Sequence, residues 1–380
     1  MEPYIFEAED ISVKIGQHEI ISQCSLSARA GEFIGIIGPN GSGKSTFLKA
    51  VRNLIKRETG AVRFFSREES SMGEKEIARI CAFMPQEFHV PFGYTCREIV
   101  MAARYPYLKW WQKENRRDKE KVERAMQFTG VLHLADKPIQ VVSGGEKQRV
   151  LLAKILAQET PVIFLDEPTA ALDLLYQEEI FRLCRHLASQ GRTVVMICHD
   201  LTMAAKWCSR LVLLSRGRIR CEGSPQSVLT EKNLKDFFGL DSIVYTDRVS
   251  GDLSIYTYLP KEKPESADSI LVLGYGLETC TLIRLLYTSG FRFSCGYLPP
   301  FSLAREAASD FHIPFLQSPA ETASVLDSHS LILAYGLSSE EENFLKGKKV
   351  TAKIYSDLIL VNSLPTSFSS VAKAIEEGTL

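Results

Sequence analysis

The stretch Gly38-Pro39-Asn40-Gly41-Ser42-Gly43-Lys44-Ser45 constrains this chain more than any other. The apolar run Phe33-Ile34-Gly35-Ile36-Ile37 precedes it and the helix-forming run Thr46-Phe47-Leu48-Lys49-Ala50-Val51 follows it. A buried strand, a glycine-rich turn and a helix in that order form the setting of a phosphate-binding loop. Glycines at 38, 41 and 43 let backbone N–H groups turn toward phosphates at a helix N-terminus, where the peptide dipoles favour negative charge. Lys44 is expected to reach the β- and γ-phosphates and Ser45 a Mg²⁺ ion, with Pro39, Asn40, Ser42 and Thr46 completing the cradle.

Two carboxylates end a second apolar run, Val162-Ile163-Phe164-Leu165-Asp166-Glu167. Strand alternation would point them in different directions, so that they do different work. Asp166 is expected to hold Mg²⁺, directly or through water, and Glu167 to polarise the water that attacks the terminal phosphate. A further anion site is legible at Ser143-Gly144-Gly145-Glu146, which leads into a helix read over Val150 to Ala157. A serine cap followed by two glycines makes an anion-binding helix end that the phosphate loop of the same domain does not need.

Composition excludes several classes. At 380 residues the chain has room for two or three domains, and 45% apolar and 24% charged residues are ordinary for soluble globular proteins. A formal charge of -1 provides no global basic field, so no nucleic-acid partner is expected. Apolar runs such as Val194-Val195-Met196-Ile197-Cys198 are too short to span a bilayer, and the chain is not expected to be integral to a membrane. The nine cysteines form no C-x-x-C pair and read as reduced core residues.

Phosphate loop, Ser-Gly-Gly-Glu signature, acidic strand and the later His199 in Ile197-Cys198-His199-Asp200 together resemble the ATP-binding cassette superfamily, over about three fifths of the chain. The resemblance implies binding and hydrolysis of ATP with Mg²⁺. It also implies a homodimer of cassettes in which each signature contacts the γ-phosphate held by its partner. Gln86 resembles the glutamine that senses Mg²⁺ and the attacking water, Asp173 the loop that touches the partner cassette, and His199 the switch histidine on the γ-phosphate. Ile15 stands where the family usually stacks an aromatic ring on adenine, which implies weaker affinity or looser nucleotide preference.

Between Gln86 and the signature, Thr95–Val100, the string Ala103-Arg104-Tyr105-Pro106-Tyr107-Leu108 and Leu132–Pro138 resemble the ATPases of importers for iron-siderophore complexes, haem and cobalamin. That likeness implies permease subunits, an extracytoplasmic substrate-binding protein and a peripheral place on the cytoplasmic face of the cell membrane. The rival reading is a soluble cassette ATPase of DNA repair, translation or cluster assembly. The absence of a second cassette, of a long heptad insertion and of a basic tail counts against it. Residues 109 to 124 hold seven basic and four acidic residues with Trp110 and Trp111, either a solvated face or a contact for the permease or lipid headgroups.

The fold expected is α/β: a cassette domain over 1–245 with a helical subdomain at about 87–150, a hairpin and linker over 246–266, and a Rossmann-like domain over 267–380. The linker is read from Pro260-Lys261-Glu262-Lys263-Pro264-Glu265-Ser266, and the last domain from Ile270–Leu273 followed by Gly274-Tyr275-Gly276 and a helical pattern. Further strands are expected at Phe291–Tyr297, Leu331–Tyr335 and Leu358–Val361. Only two glycines of the dinucleotide fingerprint are present, and Phe293–Gly296 brings no acid to hold a ribose, which argues against NAD. The turn is either purely structural or part of a regulatory module with a small-molecule ligand or dimer contact.

Overall fold

Apolar side chains at every position of Phe33–Ile37 call for a strand covered on both faces, and all five residues are buried. The computed structural model describes residues 3–86, 93–169, 172–247, 251–258, 270–288, 291–325 and 331–334. They divide into two compact units, Met1–Gly239 with Thr246–Ile255, and Leu240–Tyr245 with Tyr256–Leu380.

In the first unit, with strands numbered along the chain, a six-stranded sheet contains β3 (Phe33–Ile37), β6 (Cys81–Met84), β7 (Val162–Leu165), β8 (Thr193–Ile197), β9 (Arg210–Ser215) and β10 (Arg218–Gly223). Their order is β10-β9-β3-β8-β7-β6, parallel throughout except between β9 and β10. An antiparallel sheet ordered β2-β1-β4-β5 consists of β1 (Tyr4–Ile15), β2 (His18–Arg29), β4 (Thr59–Phe64) and β5 (Arg67–Glu68). One core cluster joins both sheets to the helix Lys44–Val51: Phe6 meets Phe164 edge-on at 5.4 Å, and Phe47 and Leu48 of the helix pack in the same cluster. The helix that follows the phosphate loop is therefore fixed by the core and not by the loop.

Among the described residues from 93 to β7 there are three α-helices, and each begins at a capping box. Thr95 pairs with Glu98 before Cys96–Met101, Asn115 with Asp118 before Arg116–Phe128, and Ser143 with Glu146 before Gly144–Gln158. Gly144–Gln158 thus starts six residues before the helix read from periodicity, because the capping box outweighs the low helix propensity of two glycines. Arg104, 4% exposed, clamps these helices together. Its Nε donates to Asp118 Oδ1 at 3.1 Å, its Nη1 donates to Ala157 O at 2.9 Å, and its guanidinium lies 4.2 Å from the Tyr107 ring centre. Tyr107 in turn donates its hydroxyl to Gln158 O at 2.8 Å. The Arg-Tyr-Pro string is a structural knot, and breaking its buried ion pair from one side would cost about 3–5 kcal/mol. Trp110 and Trp111 are exposed and stack edge to face at 5.3 Å.

In the second unit, β13 (Ile270–Leu273), β14 (Phe293–Tyr297), β15 (Phe315–Leu316) and β16 (Leu331–Ala334) form a parallel sheet ordered β15-β14-β13-β16. Three strands laid down in one direction and a fourth on the other side of the first is the order of half a doubly wound sheet. The helix Leu277–Thr288 packs Ile283 and Leu286 into a core with Ile270, Val272 and Cys295, and Ile243 joins the same core. Residues 240–245, expected with the cassette, cluster here. β11 (Asp241–Thr246) and β12 (Leu253–Tyr258) pair as a two-stranded sheet. The linker 260–266 and the strand candidate 358–361 lie outside the described residues.

None of the nine cysteines is in a disulfide; seven are buried, and Cys221 and Cys280 are half-buried. Burial pushes the Cys81 and Cys295 thiols up to about 12. Among the described residues no helix is long and apolar enough to cross a membrane.

Candidate active site

β3 delivers the chain to Gly38, where only glycine fits: a Cβ there would lie 2.0 Å from Leu214 O of β9. Gly43, at φ +100°, is the N-cap of Lys44–Val51, and no side chain caps that helix. Its first N–H groups are left without a side-chain acceptor, the condition for receiving phosphate oxygens. Asn40 and Gly41 are exposed at the tip of the loop, Pro39 and Thr46 half-buried, and the buried Ser42 Oγ has no hydrogen-bond partner among the described residues. Lys44 Nζ donates to Gly38 O at 2.9 Å and Pro39 O at 3.0 Å, so the ammonium folds back over the loop. Burial pulls the Lys44 amine below its ordinary range, against the opposing pull of Glu167 and Asp166.

Ser45 Oγ donates to Asp166 Oδ1 at 2.7 Å, which joins the loop helix to the end of β7. Asp166 is fully buried, and burial pushes its carboxyl up against the Ser45 hydrogen bond and the Lys49 charge. Its Oδ2 has no hydrogen-bond partner among the described residues and lies 4.0 Å from Lys49 Nζ. An under-coordinated buried carboxylate oxygen beside a serine hydroxyl is a hard-oxygen donor set, and it fits Mg²⁺. Lys49 did not come out of the sequence as a site residue, although it follows Ser45 by one helical turn on the same face.

The two carboxylates do diverge, yet strand alternation is not the cause. β7 ends at Leu165, and Glu167 takes a left-handed backbone with φ +53°. A non-glycine residue holds that conformation at a cost of order 1–3 kcal/mol. Its carboxylate is gripped on both oxygens: Gln86 Nε2 donates to Oε2 at 2.6 Å, and His199 Nε2 stands 2.5 Å from Oε1. The cluster brings together residues from the ends of β6, β7 and β8. A carboxylate so held can orient a water and take its proton once one of the two contacts opens.

Ser143–Glu146 is closed on itself. Ser143 N and Oγ both donate to Glu146 Oε2, at 2.7 and 2.8 Å, and Glu146 N donates to Ser143 Oγ at 3.3 Å. These bonds hold the Glu146 carboxyl below its ordinary range. Gly144 is exposed and Gly145 half-buried at the start of the helix. Asp173 caps the helix Leu174–Ser189 by accepting from Tyr176 N at 3.1 Å. The Tyr176 ring lies 4.5 Å from the guanidinium of Arg149, which links that helix to the signature helix, a contact with no sequence signal. Ile15, 58% exposed, pairs with His18 where β1 turns into β2.

The chain is similar to known proteins. The family model described as ABC transporter matches residues 21–170. The cobalamin import ATP-binding protein BtuD of Halobacterium salinarum is 37% identical over 288 residues, 75% of this chain and 72% of that protein. The hemin import ATP-binding protein HmuV of Rhodococcus jostii is 39% identical over 246 residues, 64% of this chain and 83% of that protein. Among solved structures, a metal-chelate type ABC transporter in an inward-facing conformation superposes with a TM-score of 0.59 at 25% identity, covering 68% of this chain and 98% of that one.

Proposed function

Because this chain belongs to the ATP-binding cassette (ABC) transporter family and is an ATPase, we propose that it is the energising subunit of an importer for an iron chelate, haem or cobalamin. The observation that carries the transport reading is the likeness to cobalamin and hemin import ATP-binding proteins at 37% and 39% identity. The names of these relatives favour import over a soluble ATPase of DNA repair, translation or cluster assembly. On this reading two copies sit on the cytoplasmic face of the membrane beneath permease subunits that an extracytoplasmic binding protein supplies with cargo.

The phosphate loop, residues 38 to 45, wraps the phosphates, and Lys44 exchanges its contacts with Gly38 O and Pro39 O for phosphate oxygens. Ser45 and Asp166, with the Gln86 amide, would hold Mg²⁺, which supplies charge neutralisation on the phosphates. Ser143–Glu146 of one copy reaches the γ-phosphate bound by the other, and Asp173 lies at that junction. Glu167 takes the proton of the attacking water, and His199 leaves Glu167 for the γ-phosphate. Ile15 packs on the base without stacking. Closing and reopening of the pair moves the permease. The second unit is a Rossmann-like regulatory module; truncation before Ser266 is expected to change ATPase control, and unchanged transport and regulation would remove that role.

The test is affinity purification of the Glu167→Gln protein from its native membrane with ATP, followed by mass spectrometry. A multispanning permease with a substrate-binding protein is expected. Recovery of soluble partners alone would overturn the transport reading.

A further inference from the structure

A cleft of about 460 Å³ opens in the first unit where the helix Arg116–Phe128 meets the C-terminal ends of Gly144–Gln158 and Leu174–Ser189. It shares no lining residue with the cluster around Glu167. Its floor is apolar, since Leu183 and Leu187 are 8% and 7% exposed, and Phe128, 62% exposed, forms part of one wall.

The charges around this floor do not balance. Of the two acidic residues in the lining, Glu159 is taken by Lys121 and Arg104, and Glu120 by Arg116. Arg117, Arg124 and Arg192 also line the cleft, and none has a carboxylate partner among the described residues. Arg117, Lys121, Arg124 and Phe128 recur at helical spacing, so one face of one helix presents both the cations and an aromatic ring. Three guanidinium groups without carboxylates leave the cleft with a positive potential that an anion would neutralise. Guanidinium forks match phosphate oxygens with two-point contacts, while the apolar floor calls for more than a bare ion.

We propose that this cleft binds a phosphate monoester with an apolar body, the arginines on the phosphate and Phe128, Leu183 and Leu187 on the body. Such a ligand would bridge the far ends of the signature helix and of the helix that begins at Asp173. The phosphate group is shared by a lipid headgroup and by a soluble ester, and the test separates them.

Monomeric dodecyl phosphate is titrated into the full chain by calorimetry, with inorganic phosphate and dodecanol as controls. Dodecyl phosphate is expected to bind at least tenfold more tightly than either control. Arg124→Gln and Arg192→Gln are each expected to weaken it by about tenfold, and Lys44→Ala to leave it unchanged. Arg117→Gln serves as a third variant should either of the first two lose its fold by circular dichroism. No binding, binding unchanged in the folded arginine variants, or binding lost with Lys44→Ala would each overturn the proposal. Cosedimentation with phosphatidic acid vesicles but not phosphatidylcholine vesicles, lost in the arginine variants, assigns a lipid source. Binding of the monomer without cosedimentation assigns a soluble one.

Discussion

Two helix N-termini in the first unit are candidates for phosphate contact, and they are prepared for it in opposite ways. Lys44–Val51 has a glycine N-cap and no side-chain cap, so its amides lack a competing acceptor from a cap. Gly144–Gln158 has a full capping box, and a carboxylate already sits where an anion would dock. At the first site the helix amides face no side-chain acceptor, and only the Lys44 ammonium has to leave Gly38 O and Pro39 O. At the second, the Ser143 N–H and hydroxyl are taken by Glu146, and a phosphate that used them would displace that carboxylate. On the proposed function, that contrast predicts an order of events: loop first, signature second.

Glu167→Gln should have the largest effect, lowering turnover roughly 10²- to 10⁴-fold while ATP still binds. Steady-state hydrolysis beside nucleotide binding checks it, and near-normal turnover would mean that Glu167 is not the base. Ser143→Ala sharpens the contrast more directly. It should lower hydrolysis by about 10²-fold and helix stability by about 1 kcal/mol, with ATP affinity of the monomer unchanged. A loss of ATP affinity as large as the loss of rate would break the distinction between the two sites. Ile15→Phe should tighten ATP binding by roughly two- to tenfold through base stacking, as read by a nucleotide titration with ATP and GTP.

The smallest effect concerns pH. The Glu146 carboxyl is held down by the Ser143 backbone N–H and hydroxyl, so its contribution is present above the ordinary carboxylate range. That contribution is lost as pH falls through the depressed value. Thermal melts in acid should therefore fall more steeply for the native chain than for Ser143→Ala, and parallel curves would count against the capping bond.

What was legible in the sequence was local. The phosphate loop, the strand before it and the apolar run of β7 follow from runs of a few residues, and the order of motifs carried the fold class. What was not legible came from distance along the chain. Ser45 and Asp166, 121 residues apart, and Gln86 and Glu167, 81 apart, were expected at one Mg²⁺ and one water from their motifs, while the direct bonds between them were not legible. The left-handed turn at Glu167 was hidden for another reason, since a glutamate gives no glycine-like signal for that conformation. Arg104 was legible in part: the string around it read rightly as a mark of kinship, and the structural knot in which its side chain is buried joins residues 14 and 53 positions away.

The cysteines give experimenters an opening. With seven thiols buried and Cys221 and Cys280 half-buried, a maleimide dye is expected to react first at these two, one in each unit. The unaltered sequence thus carries its own pair of attachment points for energy-transfer measurements between the units as nucleotide comes and goes.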